Sequence, residues 1–122
     1  GEIDYINAHG PGTPLGDRAE SRAIRSAFGE HADRLMVSST KSMIGHGLGA
    51  AGALESVACV LMLRERFVHQ SINCEDVHPE IEKFAASIPH EVREMPELNT
   101  MIKAGFGFGD VNACAIFRRW AD

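Results

Sequence analysis

The residues best equipped for chemistry are a lysine and two histidines. Lys41 and His46 lie five positions apart in Ser39-Thr40-Lys41-Ser42-Met43-Ile44-Gly45-His46-Gly47-Leu48-Gly49-Ala50-Ala51-Gly52, and His9 precedes Gly10-Pro11-Gly12-Thr13-Pro14. A neutral imidazole offers one N–H donor and one acceptor, so it can polarise a carbonyl or move a proton near neutral pH. A nearby ammonium group favours any negative charge that develops. A lone histidine before a glycine is as readily a structural residue, but two in the same local setting, together with Lys41, point to catalysis. His46 stands at the head of an apolar helix, where the positive end of the helix dipole discourages protonation, so the expectation is a neutral N–H donor. Gly45, Gly47, Gly49 and Gly52 remove Cβ atoms where a ligand or another backbone comes close.

Other groups carry weaker or different signals. Glu55 is a carboxylate inside an otherwise apolar helix. A charge there needs a partner, and Lys41 or a backbone amide is the expected one. Phe106-Gly107-Phe108-Gly109 is too glycine-rich for ordinary sheet and reads as a loop whose amides approach a ligand while its aromatic rings shield it. His31, His69, His78 and His90 lie in polar surroundings and read as solvated. Gly47-Leu48-Gly49-Ala50-Ala51-Gly52 satisfies the Gly-x-Gly-x-x-Gly template, but Ser39 to His46 separate it from the preceding strand, so close helix packing is a better reading than a dinucleotide site. No His-x-x-x-His or Cys-His cluster suggests a metal.

The elements that must position these groups follow from periodicity. Glu2 to His9 reads as a strand running into a turn-rich loop. Gly16 to Phe28 is an amphipathic helix, with Asp17 expected as its cap, Glu20 three residues on and Gly29 as its stop. Leu35 to Ser39 is a second short strand. Gly49 to Arg66 is a helix apolar around nearly its whole circumference, and such a helix is expected to be buried on every side. Phe67 to Asn73 looks extended, one turn of helix is expected around Glu80 to Phe84, and Met101 to Gly105 and Asn112 to Arg118 read as strands. Alternating strands and helices imply an α/β fold with a largely parallel sheet. One amphipathic helix and about four strands cannot cover a central helix from both sides, so another chain segment is expected to supply the missing layer.

Composition narrows the class. With 122 residues, 12 basic against 17 acidic and a net charge of -5, the chain has no basic stripe of the kind that binds nucleic acid. Three widely spaced cysteines, Cys59, Cys74 and Cys114, suggest neither a disulfide framework nor a zinc knuckle, which fits a reducing, cytoplasmic setting. The longest apolar run, within Ala50 to Leu63, is shorter than the ~20 residues needed to cross a bilayer.

Taken together, these motifs resemble the C-terminal half of the β-ketoacyl-acyl carrier protein synthases, the condensing enzymes of fatty-acid and polyketide synthesis. His9-Gly10-Pro11-Gly12-Thr13 is similar to the family's first histidine loop. Ser39-Thr40-Lys41-Ser42-Met43-Ile44-Gly45-His46 with Gly49-Ala50-Ala51-Gly52 is similar to its lysine and second-histidine segment, and Phe106-Gly107-Phe108-Gly109 followed by Asn112 to its gating loop. The resemblance runs from Ile3 to Phe117. It implies a thiolase-like fold of layered α-β-α-β-α, of which residues 1–122 are an incomplete C-terminal domain, and a Cys-His-His centre for decarboxylative Claisen condensation. On that carry-over His9 and His46 hold the malonyl thioester oxygen, Lys41 orients the site and Glu55 is its buried partner. Thr13 binds the phosphopantetheine arm, the Phe108 amide completes an oxyanion hole, Phe106, Phe108 and Gly109 gate the site, and Asn112 supports it. No metal or redox cofactor is implied. The implied partners are acyl carrier protein, acyl and malonyl thioesters, an N-terminal half bearing the nucleophilic cysteine, and a second subunit of a homodimer or heterodimer. None of the three cysteines here fits the nucleophile's role. Pro11 and Asp110 depart from the family's threonine and glycine, which motivates an alternative: a non-catalytic, chain-length-factor type subunit.

Overall fold

Tyr5, Ile6 and Asn7 are all buried, so the first strand, β1 (Tyr5–Asn7), has no wet face. Alternate residues of a strand point to opposite sides of a sheet. Tyr5 accordingly enters an apolar cluster with Cys59, Met62, Leu63 and Met101, while Ile6 enters another with Ala8, Ile24, Ala32 and Leu35. This computed structural model describes residues 2–120. β1 lies between β2 (Met36–Ser38) and β5 (Thr100–Gly107), parallel to both, and β6 (Val111–Arg118) pairs antiparallel with β5. The sheet is therefore mixed. Phe67–Val68 (β3) and Arg93–Glu94 (β4) form a separate antiparallel pair, so only the first two residues of the extended segment join a strand.

Helix α1 (Pro14–Phe28) packs on the Ile6 side of the sheet through Ile24. Its start corrects the expected cap. Proline suits the first helical position because its φ is preset and it has no N–H to satisfy there. The cap is thus Thr13, whose hydroxyl accepts the Gly16 N–H at 3.2 Å, while Asp17 sits inside the first turn and accepts the Gly12 N–H. Gly29 ends the helix as expected. A 3-10 segment, Pro79–Ser87, replaces the single turn expected near Glu80.

On the Tyr5 side lies α3 (Ala51–Glu65), entered through a 3-10 turn at Leu48–Ala50. Its buried residues are Ala51, Glu55, Cys59, Met62 and Leu63, spaced so that they form one stripe. The expectation of burial on every side holds for this stripe alone: Leu54, Val57, Val60 and Leu61 are 41–60% exposed. Of the motif glycines, Gly47 is closely packed, since a Cβ there would stand 3.2 Å from Leu54 Cδ1 and 3.3 Å from the Ala51 nitrogen, whereas Gly49 and Gly52 meet nothing beyond their own helix among the described residues. On β6, Val111 and Ile116 are both 65% exposed. An apolar surface of this extent is what a further packed layer would cover.

The aromatic glycine segment is more regular than its composition suggests. Phe106 and Gly107 belong to β5 and pair with Asn112 and Val111, so only residues 108–110 form the turn. Gly109 (φ 77°) and Asp110 (φ 59°) supply its left-handed geometry. Aspartate is among the few non-glycine residues that adopt it routinely.

Candidate active site

The first histidine is held by its backbone. His9 follows the buried end of β1 and precedes Gly10, whose φ is +39° and whose absent Cβ would stand 2.7 Å from Cβ of Ser39. Glycine is required there on both counts. The Glu20 carboxylate accepts the N–H groups of His9 and Gly10 at 2.8 and 2.9 Å, and Ser39 Oγ donates to the His9 carbonyl at 3.1 Å. Burial raises the Glu20 pKa, against the pull of those two N–H donors. Glu20 was expected only as part of a capping pattern. Its signal was its place four residues before Ile24, on the buried stripe of α1.

The second histidine follows Gly45, which has a φ of 79° and caps the short helix α2 (Lys41–Ile44). His46 Nδ1 accepts the Leu48 N–H at 3.0 Å, and His9 Nδ1 accepts the Phe106 N–H at 3.4 Å. A neutral imidazole accepting at Nδ1 carries its proton on Nε2. Both rings thus present an Nε2–H donor. They stand 5.6 Å apart, nearly edge to face at 84°, and the Phe106 ring lies 5.5 Å from His9. Burial lowers the His9 pKa, and the ammonium charges of Lys41 and Lys103 lower it further.

Next to the imidazoles lies a buried ion cluster. Lys41 Nζ donates to Glu55 Oε1 at 2.5 Å, the pairing expected from sequence, with side chains only 4% and 1% exposed. The other oxygen, Oε2, meets the ammonium of Lys103 as an ion pair outside good hydrogen-bond alignment, and Lys103 also donates to the Ala104 carbonyl. Lys103 is the residue that sequence reading missed. Its signal was its place two residues after Met101, in the register that faces α3.

Two histidines read as solvated are not. His69 is half-buried, with Nε2 bonded to Thr40 Oγ1 at 3.1 Å and Nδ1 to the Gln70 carbonyl at 2.8 Å. His31 Nε2 bonds the Ile3 carbonyl at 2.8 Å. Both receive partners from strand ends far away in sequence, which local polarity cannot reveal. Thr40 in turn accepts from Asn7 Nδ2 at 2.7 Å, and Asn7 and Ser38 hold the Tyr5 hydroxyl.

The remaining expected site residues are dispersed. Thr13 is occupied in capping α1, Asn112 is an exposed strand residue paired with Phe106, and Phe108 is fully exposed in the turn with Gly109. None of these side chains bonds either imidazole among the described residues. A cavity of about 210 Å³ lined by Ala8, Gly10, Glu20, Ser39 and Cys74 lies nearby, but neither imidazole lines it. Cys59 is buried in the α3 core with its thiol pushed up to about 12 by that burial. Burial also raises the Cys74 thiol, and Cys114 sits exposed on β6. These are poor conditions for a thiolate nucleophile at Cys59 and Cys74. No helix among the described residues is long and apolar enough to cross a membrane.

Comparison with known proteins agrees with the motifs. Residues 1–75 match the family described as the C-terminal domain of beta-ketoacyl synthase. The chain is 48% identical over 120 residues to 3-oxoacyl-[acyl-carrier-protein] synthase 2 of Coxiella burnetii, covering 98% of this chain and 28% of that protein. It is 46% identical over 118 residues to 3-oxoacyl-[acyl-carrier-protein] synthase 1 of Haemophilus influenzae, again covering 97% of this chain and 28% of the relative. Among solved structures, a type II polyketide ketosynthase in complex with its acyl-carrier protein, bound to the hexaketide, superposes with a TM-score of 0.88 at 36% identity, covering 96% of this chain and 28% of that one. The chain therefore spans little more than a quarter of the length of the relatives it matches, and its fold is that of the thiolase-like ketosynthases.

Proposed function

Because this chain belongs to the β-ketoacyl synthase family, whose C-terminal domain it matches, we propose that it is the histidine-bearing part of an enzyme that condenses an acyl thioester with malonyl-acyl carrier protein. The observation that carries this reading is the pair of imidazoles 5.6 Å apart, each with Nδ1 engaged by a backbone N–H and the proton therefore on Nε2. Two such donors suit one oxygen that gains negative charge.

The chemistry runs in two stages. A cysteine thiolate outside these residues attacks the acyl thioester carbonyl, the bond to the carrier sulfur breaks, and the departing carrier thiolate takes a proton from solvent. Malonyl carrier protein then loses carbon dioxide: the bond between C2 and the carboxylate breaks and its electron pair becomes an enolate. The Nε2–H groups of His9 and His46 hold the enolate oxygen. The carbanion attacks the acyl-cysteine carbonyl, the cysteine thiolate leaves, and β-ketoacyl carrier protein results. The lowered His9 pKa keeps its ring a neutral donor. Lys41 and Glu55 hold the second-histidine segment against α3. Thr13, Phe108 and Asn112 take the supporting parts the family resemblance gives them, and a carrier protein in the cytoplasm is the natural partner of such a site. Both imidazoles stand ready as donors, which favours a condensing enzyme over a non-catalytic subunit.

The test is release of carbon dioxide from malonyl carrier protein by the whole protein, with mass-spectrometric detection of an acylated cysteine. His9→Ala and His46→Ala should each reduce decarboxylation by at least 100-fold, in line with the loss of one oxyanion donor, about 10²–10³. Decarboxylation at the wild-type rate in either variant would overturn the reading.

A further inference from the structure

Lys103 is buried, 5% exposed, on the face of β5 that looks toward α3. In the sheet it is in register with Asn7 of β1, two residues before His9. A lysine is almost never this buried without partners. Its ammonium meets Glu55 Oε2 and the Ala104 carbonyl. Lys41 alone would leave Glu55 Oε2 without a partner in a dry interior, free to rotate the carboxylate away from Lys41.

We propose that Lys103 is a positioning residue of the condensation site: its ammonium takes the carboxylate oxygen that Lys41 leaves free, clamps Glu55 between two cations, and gives the buried cluster a net positive charge next to His9. The proposal rests on the condensing reading and deepens it. Lys41 and Glu55 alone sum to zero; with Lys103 the sum is one positive charge. Positive charge next to an imidazole disfavours its protonated form and favours an anion forming at its N–H. The charged and titratable groups around His9 are Lys41 from α2, His46 from the following loop, Lys103 from β5 and Glu55 from α3, with Glu20 of α1 on its backbone. Of these, the Glu55 carboxylate opposes the effect on the ring. Lys103 touches no reacting atom and acts through Glu55 and His9.

The experiment is a titration of His9 in the whole protein, with histidine labelled at Cε1 and observed by NMR, in parallel with the pH profile of malonyl carrier protein decarboxylation. Lys103→Met removes the extra charge and should raise the His9 midpoint by roughly half a pH unit or more, moving the acid limb of the rate profile upward with it. Lys103→Arg keeps the charge and should hold the midpoint near wild type. An unmoved midpoint in a folded Lys103→Met, or an equal shift in Lys103→Arg, overturns the proposal. Should Lys103→Met fail to fold, Glu55→Gln is compared with Glu55→Gln/Lys103→Met, which no longer strands a buried carboxylate. A higher midpoint in the double variant supports the proposal, and equal midpoints overturn it. The titration needs no substrate, so a wild-type protein that releases no carbon dioxide sinks the condensing reading while the charge comparison still decides the role of Lys103.

Discussion

Glu55 and Glu80 are each a single carboxylate held between two cations, and they do different work. Glu80 accepts from Arg18 at 2.6 Å and Arg22 at 2.7 Å, with its side chain 40% exposed, and joins α1 to the 3-10 segment Pro79–Ser87. The Arg18 hydrogen bond holds its carboxyl below the usual carboxylate range. Glu55, at 1% exposure, lies between Lys41 and Lys103 in the core. Water and salt screen the first arrangement, so either partner can leave at little cost. In the second, removing one member strands the others without solvent. The number of ion pairs is thus uninformative until the solvent around them is known, and the buried set alone can fix the loop carrying His46.

The largest expected effect belongs to the buried carboxylate. Glu55→Ala leaves two ammonium groups unpaired in the core and should cost about 3–5 kcal/mol, read as a lower denaturation midpoint in urea; a loss below 1 kcal/mol would put Glu55 in the same class as Glu80. Gly10→Ala comes next. Left-handed backbone costs a residue with a Cβ roughly 1–2 kcal/mol, and the new Cβ would also press on Ser39 at 2.7 Å. It should lower activity more than stability, because it moves the His9 peptide off Glu20 without touching the ion cluster.

A pH series separates the groups further. The folded-state pKa of His9 is depressed, so its contribution to stability is present above the usual histidine value of ~6.5 and is lost as pH falls through its folded value. The limb of the decarboxylation profile that His9 sets should follow the same sign, lying below the usual histidine value. The sign for Glu20 is opposite. Its folded pKa is raised by burial, so its contribution is full below the usual glutamate value of ~4.3 and is lost as pH rises through its folded value. Glu20→Gln should therefore flatten the pH dependence of urea unfolding on the acid side. The smallest effect belongs to the exposed set: Glu80→Gln should barely change the melting temperature, and 1 M salt should erase what change there is.

The chemistry was legible wherever it depended on residue type and local spacing. His9, Lys41 and His46 beside glycines, a lone carboxylate in an apolar helix, and strands alternating with helices all follow from steric and solvation rules that act within a few residues of chain. Burial and long-range pairing were not legible. Which oxygen of Glu55 meets Lys103, why Glu20 serves the His9 backbone rather than a helix cap, and why His69 is bonded to Thr40 depend on segments brought together from 11 to 48 residues apart. The same holds for which face of α3 stays bare: the apolar pattern runs all round, and only the packed sheet makes the Glu55 stripe the covered one. Sequence specifies what each side chain is able to do; the packed sheet decides which of them share an interior without water, and there the strength of every charge and hydrogen bond is set.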